Sequence, residues 1–195
     1  MKYAIRISSL AVLTLFFSLA TVFAAPITKA TVMDDSFDLA SIHTIAVAAP
    51  NYVQTGNGPT VADLTAAVAQ SGFDSKDLQN VTVIPYSIIA SNVKKENNVD
   101  LQSTDKNTAK KLFKENAAKY ADAYLVVTVA NDNRVVVFYD LYSAKNDAYL
   151  YSYEVIGGGQ SDNNIKSYTS FNKLFYKGLS DSIKGQHSEN TDKKK

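Results

Sequence analysis

Between residues 124 and 156 the spacing of apolar side chains changes from that of a helix to that of a sheet, and this change limits the possible folds more than any other feature of the chain. Residues 134–142 and 148–156 alternate with period two, and a largely polar break, Ser143-Ala144-Lys145-Asn146-Asp147, separates them. An antiparallel hairpin is the economical connection. Alternation assigns Val135, Val137, Tyr139 and Leu141 to one face of the first strand, and Val136, Phe138, Asp140 and Tyr142 to the other. In the second strand it places Tyr149, Tyr151, Tyr153 and Val155 together, opposite Leu150, Ser152, Glu154 and Ile156. Residues 124–130 read as a further strand, and Asn131-Asp132-Asn133 as the turn that follows it.

Upstream, Thr44-Ile45-Ala46-Val47-Ala48-Ala49 is a continuous apolar run stopped by Pro50, as in a strand buried on both faces. Residues 51–59 form a loop around Gly56-Asn57-Gly58-Pro59. Thr60 then caps a helix over 61–71, with Asp63 in its first turn and Gly72 at its end. Residues 81–85 give a short strand cut off by Pro85, and Ser87 is placed to cap a second, shorter helix. The clearest helix spans 105–121, capped by Ser103 or Thr104, with Leu112, Phe113 and Ala117 on one face and Lys106, Lys110, Lys111 and Lys114 mostly on the other. A last helix over 166–184 carries Phe171, Leu174, Phe175 and Leu179, and Gly185 is expected to close it. The succession predicts one α/β (α+β) domain over 37–184, in two or three layers, with a mixed sheet of about five strands, the antiparallel hairpin near its end, and about four helices. Residues 25–36 read as an exposed leader and 185–195 as a disordered polar tail.

The start of the chain bears on location. Lys2 and Arg6 precede the apolar run 7–22, which ends at Val22-Phe23-Ala24, the pattern of a secretory signal peptide cleaved after Ala24. If cleavage fails, residues 7–25 would persist as a membrane anchor; if it occurs, no later apolar stretch approaches the roughly 20 residues needed to cross a bilayer. A periplasmic or extracellular protein is therefore expected, with no stable membrane insertion. Removing residues 1–24 takes away two cations and no acid, leaving 18 Lys plus Arg against 19 Asp plus Glu. Such a balance gives no general attraction to nucleic acid. Arg134 is the one arginine left, so anion recognition by an arginine cluster is excluded. The absence of Cys excludes disulfides, thiolate metal sites, a cysteine nucleophile and a lipoprotein anchor.

Catalytic constellations are not evident. His43 and His187 lie a domain apart, and no serine sits in Gly-x-Ser-x-Gly. Asp140 and Glu154 are the carboxylates a wall hydrolase would use, but they read as exposed strand positions. Gly157-Gly158-Gly159 lacks the Lys-Ser/Thr of a phosphate loop, and Asn131-Asp132-Asn133 lacks the glycine and distal glutamate of a calcium loop. No enzyme, cofactor or metal is expected. Two binding features remain. Tyr149, Tyr151 and Tyr153, with Tyr139 or Tyr142 across the hairpin, would form an aromatic strip for a partner, unless they pack under the terminal helix. The loop carrying Asn51, Gly56, Asn57 and Gly58 lies beyond the carboxyl end of the first strand, where α/β sheets hold ligands.

Several segments together resemble a group of bacterial envelope α/β domains. These are Phe37-Asp38-Leu39-Ala40-Ser41-Ile42 leading into the strand Thr44-Ile45-Ala46-Val47, the stretch 81–85, the Lys-rich helix, Ala121-Asp122-Ala123-Tyr124-Leu125 at the entry to the next strand, and Asp140-Leu141-Tyr142 in the hairpin. The domain that these segments resemble is the one shared by the curli-secretion lipoprotein CsgG, the amino-terminal domain of TolB and the penicillin-binding-protein activator LpoB. The resemblance implies a non-catalytic protein acting through protein contacts, with an envelope protein as partner and a homo-oligomer left open. The alternatives are a small-ligand or cell-wall glycan binder and, further off, the carboxylate-dependent wall hydrolase.

Overall fold

The computed structural model describes residues 25–72 and 81–192, with side chains up to residue 186. Residues 1–24, expected to be a signal peptide, His187 and the end of the tail lie outside these described residues or side chains. The sheet is mixed and six-stranded: β1 (Ile27–Val32), β2 (Thr44–Val47), β3 (Thr82–Ile84), β4 (Ala123–Ala130), β5 (Val136–Ser143) and β6 (Tyr149–Ile156). Their spatial order is β1-β6-β5-β4-β2-β3. β2 runs parallel to β3 and β4, whereas β4, β5, β6 and β1 are successively antiparallel. The helices are α1 (Val61–Ser71), α2 (Tyr86–Asn97), α3 (Lys106–Tyr120) and α4 (Ile165–Asp192).

Local chemistry sets most of these boundaries. Thr60 caps α1 by accepting the Asp63 N–H, as its sequence position indicates. At α3 the capping residue is Asp105, not Ser103 or Thr104. Its carboxylate accepts the N–H groups of Asn107 and Thr108, while the backbone N–H of Ser103 and of Thr104 is turned back onto the Asp100 carbonyl. α2 begins just after Pro85, whose fixed φ suits a helix start, and no side chain caps it.

The sheet lies between two helical layers. On one face α1 and α4 cover a core that includes Leu64, Val68, Leu125, Tyr139, Phe175 and Leu179. On the other, α2 and α3 enclose Ala46, Ile89, Val93, Phe113, Ala117 and Tyr124. α2 packs mainly over β2 and α3 over β2 and β4, with Ile84 and Tyr142 at the margins of this core. Among the described residues no helix covers β5, β6 and β1 on that side.

Besides the caps, where neither Ser103 or Thr104 at α3 nor Ser87 at α2 plays the expected part, three further expectations are corrected. Residues 25–36 are exposed but include an ordered edge strand, β1, paired along its length with β6. Gly185 does not close α4, which continues as helix to Asp192 through part of the expected tail. The tyrosine ladder is broken by a bulge. Leu141 pairs with Tyr151 but Tyr142 pairs with Tyr149, so Leu150 is an extra residue and Tyr149 turns to the face opposite Tyr151.

α4 approaches the sheet closely because of Gly178. A Cβ there would run into the ring of buried Tyr153, with the ring Cδ2 at 2.9 Å. Gly178→Ala should therefore destabilise the fold by about 1–3 kcal/mol despite the better helix propensity of alanine. A Cβ at Gly185 meets nothing within 4 Å. Gly185→Ala should be neutral or stabilise by up to about 1 kcal/mol, because α4 runs on through this position. Urea unfolding midpoints of the two variants check both signs.

Candidate functional site

The five hairpin tyrosines divide between the two faces. Tyr139 and Tyr151 are fully buried and Tyr153 is 6% exposed, all beneath α4. Tyr139 stacks on Phe175 with ring centroids 4.8 Å apart, and its hydroxyl donates to Asn172 Oδ1 at 2.7 Å. Burial holds the Tyr139 hydroxyl far above its ordinary pKa, and burial also pushes Tyr151 up to about 12. These three side chains build the core under α4 and offer no surface.

Tyr142 and Tyr149 lie half-buried on the opposite face. Tyr142 stacks on Tyr149 at 4.9 Å and on Tyr124 at 5.3 Å, so a row of rings runs out from beneath α3 onto the uncovered part of the sheet. The Tyr149 hydroxyl donates to Asp140 Oδ1 at 2.6 Å, and Ser152 Oγ donates to the same oxygen at 2.9 Å. Burial and the Asp140 carboxylate raise the Tyr149 hydroxyl to about 12. Alternation places Val136, Phe138, Glu154 and Ile156 on this face as well, all half-buried. Asp140 and Glu154 thus share the open face, with Asp140 already holding two hydroxyl donors.

The hairpin turn is tied to α3. Asp147, in the left-handed region at φ 63°, accepts from both the Tyr124 hydroxyl and the Lys114 ammonium. Burial works to raise the Asp147 carboxyl, but these hydrogen bonds outweigh it and leave the group below the usual carboxylate range. Lys114 also sits 5.2 Å from the centre of the Tyr124 ring.

The candidate ligand loop is split between two cavities. Asn51 extends the line of β2 along β4, with its N–H on the Val127 carbonyl at 2.8 Å and its carbonyl accepting Val129 N–H at 3.0 Å. It lines a groove of about 660 Å³ between this extension and α3, with Tyr86, Phe113, Tyr124 and Val126 among its walls. Gly56, Asn57 and Gly58 instead line a polar cavity of about 440 Å³ with Thr55, Asn131 and Gln160. The polar cavity is cross-braced from within. Asn131 Nδ2 donates to the Val53 carbonyl and Thr55 Oγ1, Asn163 Nδ2 donates to Thr55, and Gln160 Nε2 donates to the Asn131 carbonyl. Gly56, at φ 52°, supplies the one backbone conformation of this loop that disfavours a side chain.

In the sequence Asn131 reads as a turn residue and Lys106 and Lys110 as a polar helix face, while Gln160 and Asn163 carry no signal of their own. Their common signal is proximity in space, which no single segment carries. His43 is exposed, and Asp122 accepts both its N–H and that of Thr44. Among the described residues, no three His, Cys, Asp or Glu side chains group as metal ligands, and no helix is long and apolar enough to cross a membrane.

No protein-family model matches the chain, and no curated relative matches it. Solved structures are similar to it at low identity. A PelC dodecamer from Paraburkholderia phytofirmans is 16% identical over 80% of this chain and 98% of that one, with a TM-score of 0.47. The lipoprotein GNA1162 from Neisseria meningitidis is 20% identical over 61% of this chain and 83% of that one, with a TM-score of 0.40. The LpoB C-terminal domain from Escherichia coli is 14% identical over 59% and 82% respectively, with a TM-score of 0.41. Likeness at this level assigns no activity.

The raised tyrosines make stability fall in alkali. Between the unfolded pKa of about 10 and the folded value of about 12, the folded state holds protons that the unfolded state has released, so stability declines as pH rises. Below about pH 10 this contribution is fully present. Urea midpoints should fall over that interval, and a Tyr149→Phe/Tyr151→Phe variant should show a shallower decline.

Proposed function

We propose that this chain is a non-catalytic, extracytoplasmic protein of the bacterial envelope that binds another envelope protein through the uncovered half of its sheet. One observation carries the reading: Tyr149 stacks on Tyr142 at the margin of the α2–α3 layer, and Phe138 shares that face of β5 and β6, on the part of the sheet beyond the helices. Aromatic side chains give large contact area for little conformational entropy, and they anchor protein interfaces. Asp140 and Glu154 add an acidic element, so the matching partner surface is apolar with basic groups at its rim. The signal-peptide pattern of residues 2–24 supports the location. The three tyrosines beneath α4 support the fold instead of the contact. Variants there would lose binding only by losing structure.

A second reading, a small-ligand or glycan binder, has its own observation in the polar cavity lined by Asn57, Asn131 and Gln160. Amide-rich lining suits hydroxylated ligands, though here the amides already brace the loops.

Photo-crosslinking in intact cells separates the faces. A photoreactive residue at Phe138 should give one discrete adduct with an envelope protein, and one at Lys173, exposed on α4, should not. In the Phe138 probe background, Tyr142→Ser should weaken the adduct about tenfold or more while unfolding stays cooperative. Identical adduct patterns from Phe138 and Lys173 would refute a dedicated sheet-face contact.

A further inference from the structure

The groove between α3 and the extension of β2 combines two properties that the partner surface does not use. Its floor and walls are mainly apolar, with Phe113, Tyr124, Val126 and Tyr86 lining it beside the polar Asn51 and Thr128, and Val53, also in its lining, is 73% exposed. Tyr86 and Phe113 stack at 5.9 Å, and Phe113 meets Tyr124 edge-on at 6.4 Å, which gives a continuous aromatic wall. Along one side stand Lys106, Lys110 and Lys114, four residues apart on α3, a cationic row about 12 Å long.

The charges in this row are unevenly satisfied. Lys114 is paired with Asp147. Among the described residues Lys106 and Lys110 form no ion pair, whereas Lys111 on the same helix pairs with Glu115. Lys110 does act on Asp147 through space. Asp105 caps the first turn of α3, so the attraction for an anion comes from the lysine ammonium groups and not from free helix N–H groups.

The position also fits. The groove lies beyond the carboxyl end of β2, where the chain leaves for α1 on one face of the sheet while α3 leads into β4 from the other, the kind of crevice in which α/β folds bind ligands. Its volume of about 660 Å³ lies in the usual range for small-molecule sites. The cavity follows the helix, so a chain-like ligand fits it better than a compact one.

We infer that this groove binds a single-chain anionic amphiphile as a monomer, with the apolar chain on the Phe113, Tyr124 and Val126 side and the anionic head between Lys106 and Lys110. Carboxylate is the simplest such head. The inference is independent of the protein contact on β5 and β6, and either stands if the other fails.

Isothermal titration of the folded protein with dodecanoate, below its micelle concentration, tests the inference. Saturable binding of one molecule per chain is expected, with affinity rising from octanoate to dodecanoate by up to about fourfold per added methylene. Lys106→Gln/Lys110→Gln should weaken dodecanoate about tenfold and leave the weaker binding of dodecyl maltoside, whose head is neutral, unchanged. Ala109→Trp should fill the groove and abolish binding. Should that variant misfold, Val53→Asp, at an exposed position, puts a negative charge at the mouth and should also weaken dodecanoate. Absence of saturable dodecanoate binding, equal affinity for the maltoside, or full binding in Val53→Asp would overturn the inference. Binding to phosphatidylglycerol vesicles without binding to free dodecanoate would overturn it too, by making the lysines a membrane-facing patch.

Discussion

The packing of α4 against β5 and β6 is the interaction on which the other features depend. Tyr139 stacks on Phe175, Tyr153 fills the space left by Gly178, and the buried Asn172 takes the Tyr139 hydroxyl. Large aromatic side chains dominate core energetics, and the buried hydroxyl needs its acceptor because an unpaired one would cost the core stability. With one face of the hairpin committed to α4, the bulge at Leu150 determines what the other face receives. It moves Tyr149 into line with Tyr142 and Tyr124 and leaves Leu150 and Tyr151 both facing inward.

The open half of the sheet follows from connectivity. α2 and α3 lie between β3 and β4 in sequence, and α2 packs over β2 while α3 packs over β2 and β4, so that layer is used up before the chain reaches β5. The connections from β4 to β5 and β5 to β6 are short turns that bring no helix. Antiparallel sheets tolerate a face without a helical layer, and here the face carries Phe138, Tyr142 and Tyr149 in place of a purely polar surface. The groove by α3 borders it through Val126 and Tyr124, so two chemically distinct surfaces share the same side of the sheet.

Much of the fold was legible in the sequence because each element has a local cause. Thr60 and Asp63 mark the start of α1, and period-two alternation marks β4, β5 and β6. The elements that were misread lack such a signal. β1 is an edge strand exposed along most of its length, so Ile27–Val32 needs no alternation to pair with β6. The bulge is invisible to periodicity, because one inserted residue leaves Tyr149, Tyr151 and Tyr153 in perfect alternation on paper. Gly185 looks like a helix end by residue type alone, yet nothing about its surroundings stops α4. The candidate sites were less legible still: Lys106 and Lys110 have the spacing of a solvated helix face, and only the arrival of Ala48–Val53 from far upstream makes them the rim of a groove.

The hairpin tyrosines divide between a buried and an accessible face, and tyrosine nitration of the folded protein, mapped residue by residue by mass spectrometry, tests that division most directly. Tyr142 and Tyr149 should be modified while Tyr139, Tyr151 and Tyr153 stay protected until the protein unfolds. Modification of Tyr151 and Tyr153 at the same rate as Tyr149 would contradict both the bulge and the placement of α4.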